Sequence, residues 1–289
     1  MSKYRQITND DEIRRIAFEG LQYFVSICEE YGIRYYIMGG TLLGAVRHHG
    51  WIPWDDDIDV AVPRADYQRL IELTDKINND DWILESFERN NQYLLFWAKL
   101  CNRHTLITPS RFLNGYQYGI SIDVFPFDSL DPNKTVEQEL KEFGAEYRKL
   151  YRQHTYINVA HIHETALNKR ILNFFKYQVA APIFRRIYDE PLQILKDMTE
   201  RAMQNDWDKA ENIGLIQMSR KNLVWPKSLF ESVCKLPFEG IELTAPAGYS
   251  EMLRIQYGDY MIMPPPEKRV ANHSYIAYLL PEGITYDKL

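Results

Sequence analysis

The chain has 289 residues, enough for one large domain or two small ones, and its 45% hydrophobic and 26% charged residues are ordinary for a globular protein. Lysine and arginine number 34 against 40 aspartates and glutamates, and the formal net charge of −6 argues against a broad nucleic-acid groove, which needs a basic face. The three cysteines, Cys28, Cys101 and Cys234, form no Cys-x-x-Cys pair, which argues against a structural zinc site and a disulfide framework and favours a reducing compartment.

The amino-terminal stretch MSKYRQITNDDEIRR is polar and lacks the apolar centre of a signal peptide. No apolar run in the sequence approaches the length of a membrane span. We therefore expect a cytoplasmic protein.

The spacing of apolar residues alternates between helical and strand-like along the first part of the chain. In chain order, it predicts a helix over 8–31, a strand over 34–38, a short helix over 41–48, a strand over 57–62, a helix over 65–77 and strands over 82–87, 93–101 and 119–125. From residue 133 to about 211 the pattern is helical, and a mixed tail follows. The sequence predicts an α/β (α+β) fold with a catalytic core over 1–130, a helical segment over 131–212 and a C-terminal segment over 213–289 that packs back on the core.

Four carboxylates, Asp55, Asp56, Asp57 and Asp59, fall within five positions of the stretch WDDDIDVAV. Alternate side chains of a strand share one face, so Asp57 and Asp59 are expected to point the same way. Two adjacent carboxylates repel unless a cation lies between them, and hard oxygen ligands suit Mg²⁺ or Mn²⁺. A capped acidic turn is the alternative, which the apolar tail IDVAV disfavours. For Asp55 and Asp56, two interpretations remain, a capped turn or a role in orienting the metal ligands. The second is favoured for Asp56.

A third carboxylate of similar character, Asp123, interrupts the apolar run in GISIDVFPFD. On its own it is best interpreted as a hydrogen-bonded aspartate at a strand end. Beside Asp57 and Asp59 on a neighbouring strand, it would complete a metal site or accept a proton. Three carboxylates that hold two ions can neutralise a phosphoryl group and position an in-line attack.

Two glycines, Gly39 and Gly40, stand between a predicted strand and the short helix that follows. Glycines before a helix let backbone N–H groups approach an anion closely. A Gly-Gly pair alone is usually a turn, but a pair followed at short range by a strand with Asp-x-Asp is more specific for phosphate binding.

The stretch GGTLLGAVRHHGWIPWDDDIDVAV closely resembles the signature of the LicD family, within the nucleotidyltransferase-fold superfamily. The superfamily pattern of a Gly-Gly turn, a short helix, an Asp-x-Asp strand and a later third acid matches Gly39, Gly40, Asp57, Asp59 and Asp123. Three further stretches, WAKLCNRHT, GISIDVFPFD and GYSEMLRIQYGDYMIMPPPEKR, are similar to the family, whereas the helical middle is not matched. The resemblance implies a nucleotidyltransferase-like mixed sheet flanked by helices.

The resemblance also implies a reaction, the transfer of phosphocholine from CDP-choline to a hydroxyl of a cell-surface glycan precursor. The acceptor would be of teichoic acid or lipopolysaccharide type, in a lipid-linked form, and CMP would leave. Transfer of ribitol or glycerol phosphate from a CDP donor is the alternative within the family. Nucleotidyl transfer to a small molecule keeps the fold and changes the chemistry, and a non-catalytic relative that binds nucleotide or glycan is the third reading, disfavoured by the intact acidic set. We expect no nucleic-acid partner.

Site roles follow from the same resemblance. Asp57 and Asp59 are expected to hold Mg²⁺ or Mn²⁺ against the donor diphosphate. Asp123 is expected to complete the metal site and to act as general base on the acceptor hydroxyl.

Phosphate contacts are assigned to Gly39, Gly40 and Thr41 through the helix N-terminus. Arg47 and Lys99 are the candidate cations for developing charge. For Arg47, a simple ion pair with the acidic cluster is an equal alternative.

Choline recognition would use aromatic faces. We expect at least one of Trp51, Trp54, Tyr116 and Tyr118 to line the donor pocket, although each by itself is more typical of packing. Three residues of the family-like tail would close the same pocket, and packing explains them as well: Tyr257, Asp259 and His273.

Two other features have simple explanations. The HIHE motif at 161–164, with His154 nearby, invites a zinc site, but His161 and His163 do not share a face of a helix. The segment 171–188 is aromatic with basic flanks, which would suit a peripheral contact with the inner face of the plasma membrane, although a buried helix pair explains it better.

Overall fold

The computed structural model of the protein describes residues 4–109, 111–113, 116–157, 191–270 and 275–289. Its strands are β1 (Arg5–Ile7), β2 (Tyr36–Ile37), β3 (Asp59–Pro63), β4 (Trp82–Glu85), β5 (Ala98–Asn102), β6 (Thr105–Pro109), β7 (Arg111–Leu113), β8 (Ser121–Ser129), β9 (Thr155–Ile157), β10 (Asn212–Gly214), β11 (Val224–Pro226), β12 (Val233–Phe238), β13 (Ile241–Pro246) and β14 (Tyr275–Leu279). Its α-helices are α1 (Asp10–Tyr31), α2 (Gly39–His48), α3 (Arg64–Glu72), α4 (Thr74–Ile77), α5 (Val136–His154), α6 (Pro191–Met203) and α7 (Tyr249–Tyr257).

The first helix, α1, matches its sequence prediction to within two residues. The side chain of Asn9 caps it by accepting the N–H of Asp11 at 2.9 Å. Gly32 ends it in the left-handed conformation, with φ of 62°, and donates its N–H to the carbonyl of Cys28. The apolar face of α1, which includes Phe24, is buried in the main core.

A seven-stranded mixed sheet forms the centre of the molecule. Its order is β11-β10-β8-β3-β2, and β5 joins it by pairing with both β8 and β4. The long strand β8 runs parallel to β3 and antiparallel to β5 and β10. Val60, Val62 and Val124 are fully buried, because helices or loops cover both faces of this part of the sheet. The predicted mixed α/β fold is confirmed.

Three smaller sheets surround the central one. The first has the order β1-β14-β6, and the pairs β12–β13 and β7–β9 form the other two. The first of these joins both ends of the described chain, since β14 pairs with β1 and with β6. Strand β1 was not predicted, because its short sequence RQI carries no alternating apolar pattern.

Several predicted elements have different bounds in the structure. The predicted strand 57–62 begins only at Asp59, so Asp57 lies in the preceding loop and the face argument from strand alternation does not apply to it. The predicted strand 93–101 begins at Ala98, because Tyr93 instead forms a turn on Asn90 and is buried in a second apolar cluster. The predicted helix 65–77 is interrupted at Leu73.

The helical middle is present in part, as α5 and α6. They pack together in the second apolar cluster, around Phe143 and Leu195. Strands β10 and β11, from the C-terminal segment, complete the central sheet, and the division into three domains stays a prediction. The HIHE motif and the segment 171–188 lie outside the described residues. Within the described ranges, none of the helices is both long and apolar enough to cross a bilayer.

Candidate active site

Strands β3 and β8 bring the predicted acids together. Asp59 and Asp123 are directly opposed in the parallel pair, and the N–H of Asp123 donates to the carbonyl of Ile58 at 2.9 Å. Parallel pairing aligns the amino-terminal ends of both strands at one edge of the sheet. Two acids that are 64 positions apart in sequence therefore share one site because of sheet topology.

Hydrogen bonds join the residues around the Gly-Gly turn to the first residue of β3. The N–H of Met38 donates to the carbonyl of Asp59 at 3.2 Å, and the N–H of Asp59 donates to Thr41 Oγ1 at 2.9 Å. Gly39 has φ of 56°, and a Cβ there would lie 2.7 Å from Asp59 Oδ2. A Cβ on Gly40 would clash with Asp55 Oδ2. Gly39 needs glycine because of its positive φ, and a side chain at Gly40 would displace the carboxylate of Asp55, because the start of α2 lies directly against the carboxylates.

The carboxylates line a cavity of about 930 Å³. Its acidic wall carries four carboxylates: Asp55, Asp57, Asp59 and Asp123. Of the residues predicted for phosphate contact, the cavity includes Gly39, Gly40 and Arg47. Thr41 and Lys99 are not among its lining residues, being only 3% and 8% exposed. Thr41 supports Asp59 through its hydroxyl instead of facing the cavity.

The charge of Asp59 is disfavoured in the folded protein. Its pKa is raised well above the ordinary carboxyl range, first because it is removed from bulk water and then because Asp57, Asp123 and Asp55 repel its charge. Lys99 opposes this shift and does not overcome it. A carboxylate whose charge is disfavoured in this way is a natural ligand for a cation, which reverses the sign of its surroundings.

Among the described residues, one group of three carboxylates has oxygens within 4.8 Å of one another, and it consists of Asp55, Asp56 and Asp57. The predicted metal set of Asp57, Asp59 and Asp123 does not converge to that distance. Asp56 also forms a hydrogen bond with Tyr275. Burial of the phenol, and next the negative charge of Asp56, raise the pKa of Tyr275. Oxygen donors alone make up the group, which fits Mg²⁺ or Mn²⁺ rather than zinc.

Asp123 is held by β5. Lys99 Nζ forms an ion pair with its Oδ1, and Trp97 Nε1 donates to its Oδ2 at 3.0 Å. The ammonium of Lys99 also lies 5.0 Å from the ring centre of Tyr118. Both oxygens of Asp123 therefore have partners from β5 and from the residue directly before it. Lys99 thus acts on Asp123, and the predicted direct contact of Lys99 with substrate charge is not supported by its position.

Arg47 lies at the end of α2 and lines the cavity. Its Nη1 donates to the carbonyl of Tyr260 at 2.9 Å, and its Nε donates to His48 Nε2 at 3.0 Å. These bonds join α2 to the segment after α7. They leave Arg47 on the cavity wall as a fixed cation that is available to an anionic ligand.

One of the four predicted aromatic residues, Trp54, lines the cavity, and the guanidinium of Arg269 lies 5.8 Å from its ring centre. Trp51 packs against Phe238 with ring centres 5.6 Å apart. Tyr116 donates to Glu85 at 2.5 Å in a separate cavity, and Tyr118 lies beside Lys99. The interpretation as packing residues therefore holds for three of the four.

The sequence did not single out several other residues of the cavity wall: Trp97, Met218, Arg220, Asn222, Gln256 and Tyr260. Tyr257 and Asp259, which were named with an open role, also line it. The pKa of Tyr257 is raised by partial burial of its phenol and by the nearby charges of Asp59 and Asp55, so the hydroxyl keeps its proton and can donate. His273 lies outside the described residues, and the side chain of His154, at the end of α5, is not described.

Comparison with known proteins agrees with this geometry. Residues 32–182, just over half of the chain, match the family model described as LicD/FKTN/FKRP, nucleotidyltransferase domain. The lipopolysaccharide cholinephosphotransferase LicD of Haemophilus influenzae is 29% identical over 275 residues, which cover 93% of this chain and 97% of that protein. The ribitol 5-phosphate transferase FKRP of Homo sapiens is 48% identical over 48 residues, which are 17% of this chain and 10% of that protein. The chain belongs to the LicD family of transferases.

Proposed function

We propose that the protein transfers phosphocholine from CDP-choline to a hydroxyl of a cell-surface glycan precursor, of teichoic acid or lipopolysaccharide type, and releases CMP. The observation that carries the proposal is the cavity in which four aspartates face the glycine-opened start of α2. The full-length similarity to a lipopolysaccharide cholinephosphotransferase supports the choice of donor and acceptor.

The acidic wall would hold one or two Mg²⁺ or Mn²⁺ ions, with Asp57 and Asp59 as the central ligands. Asp55 and Asp56 join them as candidates because their carboxylate oxygens lie within 4.8 Å of each other and of Asp57. A bound divalent cation would neutralise charge on the donor diphosphate. Gly39 and Gly40 would bring backbone N–H groups close to the same phosphates, and Arg47 would add a side-chain cation.

Asp123 would serve as the base for the acceptor. Lys99 and Trp97 fix its carboxylate on the cavity wall, where it would take the proton from the attacking hydroxyl. The acceptor oxygen forms a bond to the choline-bearing phosphorus as the bond from that phosphorus to the CMP oxygen breaks. Trp54 offers an aromatic face for the quaternary ammonium group.

A panel of donors tests the proposal. CDP-choline, CDP-ribitol and CDP-glycerol would each be incubated with the protein, Mg²⁺ and a glycan acceptor extract, and CMP and pyrophosphate would be measured separately. We expect CMP release that is greatest with CDP-choline and that is lost on chelation of the metal. The Asp57→Asn and Asp59→Asn variants should each lose at least about a hundredfold in turnover, because charge neutralisation at the phosphates fails.

Two outcomes of this panel would point elsewhere. Greatest CMP release with CDP-ribitol would favour the alternative that the local similarity to a ribitol 5-phosphate transferase suggests. Pyrophosphate release from nucleoside triphosphates, without CMP release from CDP donors, would replace the proposal with nucleotidyl transfer to a small molecule. Near-normal turnover by Asp59→Asn at saturating Mg²⁺ would remove the metal assignment.

A further inference from the structure

A cluster of exposed apolar side chains lies on residues 259–270, which we name the mouth loop. Met261, Ile262, Met263 and Val270 are 57, 68, 36 and 60% exposed. Elsewhere in the described chain, large exposed apolar side chains such as Met203 stand singly, apart from Tyr257 directly before the loop. Single exposed apolar residues are normal on a protein surface, whereas a contiguous group marks a contact surface.

The mouth loop is fixed from its inner side. Arg47 donates to the carbonyl of Tyr260 at 2.9 Å, and Arg269 Nε donates to the carbonyl of Pro264 at 2.7 Å. The hydroxyls of Tyr260 and Ser250 are 2.9 Å apart. Three consecutive prolines, 264–266, restrict the backbone further. The apolar side chains are therefore presented to solvent by an anchored backbone.

The loop also borders the aspartate cavity, which is what identifies its partner. Ile262, Met263, Pro264 and Pro265 are lining residues, so any partner that covers the loop also borders the opening of the cavity. A second copy of the chain at this position would obstruct the path of an acceptor. A lipid bilayer would leave an amphiphilic acceptor within reach of the cavity.

The charges of the loop agree with a bilayer. Asp259 and Glu267 are balanced by Lys268 and Arg269, so the loop has no net charge that would keep it from a lipid surface. The basic pair adjoins Val270, and basic residues beside exposed apolar ones are typical of segments that lie at the headgroup level.

We propose that the mouth loop inserts its apolar side chains into the interfacial region of a phospholipid bilayer, so that the cavity opens at the membrane surface. The exposed loop by itself indicates a contact surface, and the choice of a bilayer over a second copy of the chain rests on the proposed function. The corollary, that the acceptor is presented with its lipid part in the bilayer, rests on the proposed function.

Flotation with vesicles of phosphatidylethanolamine and phosphatidylglycerol tests the contact. The test variant carries Met261→Ser and Val270→Ser, which are exposed positions that do not line the cavity. The control is Val233→Ser on β12, because Val233 is 57% exposed, as is Met261. We expect wild type and control to float with the vesicles and the double variant to bind roughly tenfold or more weakly, because each side chain withdrawn from water contributes up to about a factor of ten.

Other results would overturn the proposal. Wild-type protein that stays in the dense fraction, or a double variant that floats as well as the control, would exclude the membrane contact. Light scattering that shows a dimer in wild type and a monomer in the double variant would assign the loop to self-association instead. CMP release from CDP donors, measured without vesicles, separates the two proposals, since a protein that floats without donor turnover contradicts only the proposed function.

Discussion

The two ends of the β3–β8 strand pair differ in charge balance. At the amino-terminal end, Asp59 and Asp123 lie side by side with Asp57 nearby, and negative charge exceeds the cation that Lys99 supplies. At the other end, Arg64 donates to both oxygens of Asp128 at 2.6 and 2.8 Å, and both residues are buried. One end of this strand pair thus carries an unbalanced acidic cluster, and at the other end the first residue of α3 forms a balanced ion pair with β8.

The difference separates stability from function. The hydrogen-bonded ion pair Arg64–Asp128 holds the start of α3 against β8 and has no net charge. Repelling carboxylates cost stability in the metal-free protein, so their retention in one cavity is explained by a ligand that neutralises them. Substitutions at the two ends should therefore have opposite effects on stability.

The largest expected effect is at the balanced end. Asp128→Asn would leave the buried guanidinium of Arg64 without its counter-charge, and we expect the free energy of unfolding to fall by about 3–5 kcal/mol in urea titrations. As a control, Asp75→Asn removes the partner of Arg89 in a pair whose side chains are 79% and 39% exposed, and should cost at most about 1 kcal/mol. A similar loss in both variants would show that burial does not distinguish the two pairs.

At the acidic end, Asp59→Asn should stabilise the metal-free protein by about 1–2 kcal/mol at pH 8. The pKa of Asp59 is raised in the folded state, so its ionisation penalty is absent below the ordinary carboxyl pKa and grows as pH rises towards the folded value. Urea titrations at pH 4 and pH 8 measure this. The stabilisation should be small at pH 4, and an equal gain at both pH values would contradict an ionisation effect.

Arg14 supports the acidic end through two backbone carbonyls. Its Nε and Nη2 donate to the carbonyls of Asp55 and Pro53 at 2.9 and 2.7 Å. Arg14→Met should loosen this turn and weaken Mn²⁺ binding roughly tenfold, as measured by electron paramagnetic resonance. Arg15→Met is the matched control, because Arg15 pairs with Glu19 on the exposed side of α1 and should leave Mn²⁺ affinity unchanged.

The smallest effect is expected at the aromatic wall. Trp54→Ala should weaken CDP-choline binding about threefold to tenfold in calorimetric titrations with Mg²⁺, because a cation over an exposed aromatic face contributes modestly. Tyr116→Phe, in the separate cavity, should leave the affinity unchanged. Unaltered affinity in the Trp54 variant would restrict that residue to packing beside Arg269.

The residues at the acidic end were largely predictable from the sequence, but those opposite them were not. Asp-x-Asp and Gly-Gly are local patterns, and the apolar tail after Asp59 indicated a buried strand. Arg220 and Asn222 come from the connection between β10 and β11 and carry no motif, so no sequence pattern predicted that these two residues line the cavity. Lys99 was predicted to contact substrate charge, and only the pairing of β5 with β8 revealed that its partner is Asp123.

By itself, the sequence determined the family and the mixed α/β class, and it predicted three acids that the structure brings to one cavity, because these depend on short-range spacing and on residue types that suit one chemistry. The tertiary structure decided which acids face one another, that Asp55 shares their wall, that Thr41 and Lys99 act from behind it, and that the mouth loop borders the cavity. Strand register and the return of the C-terminal segment set these contacts. Both depend on packing between residues that are distant in the chain, which no local pattern encodes.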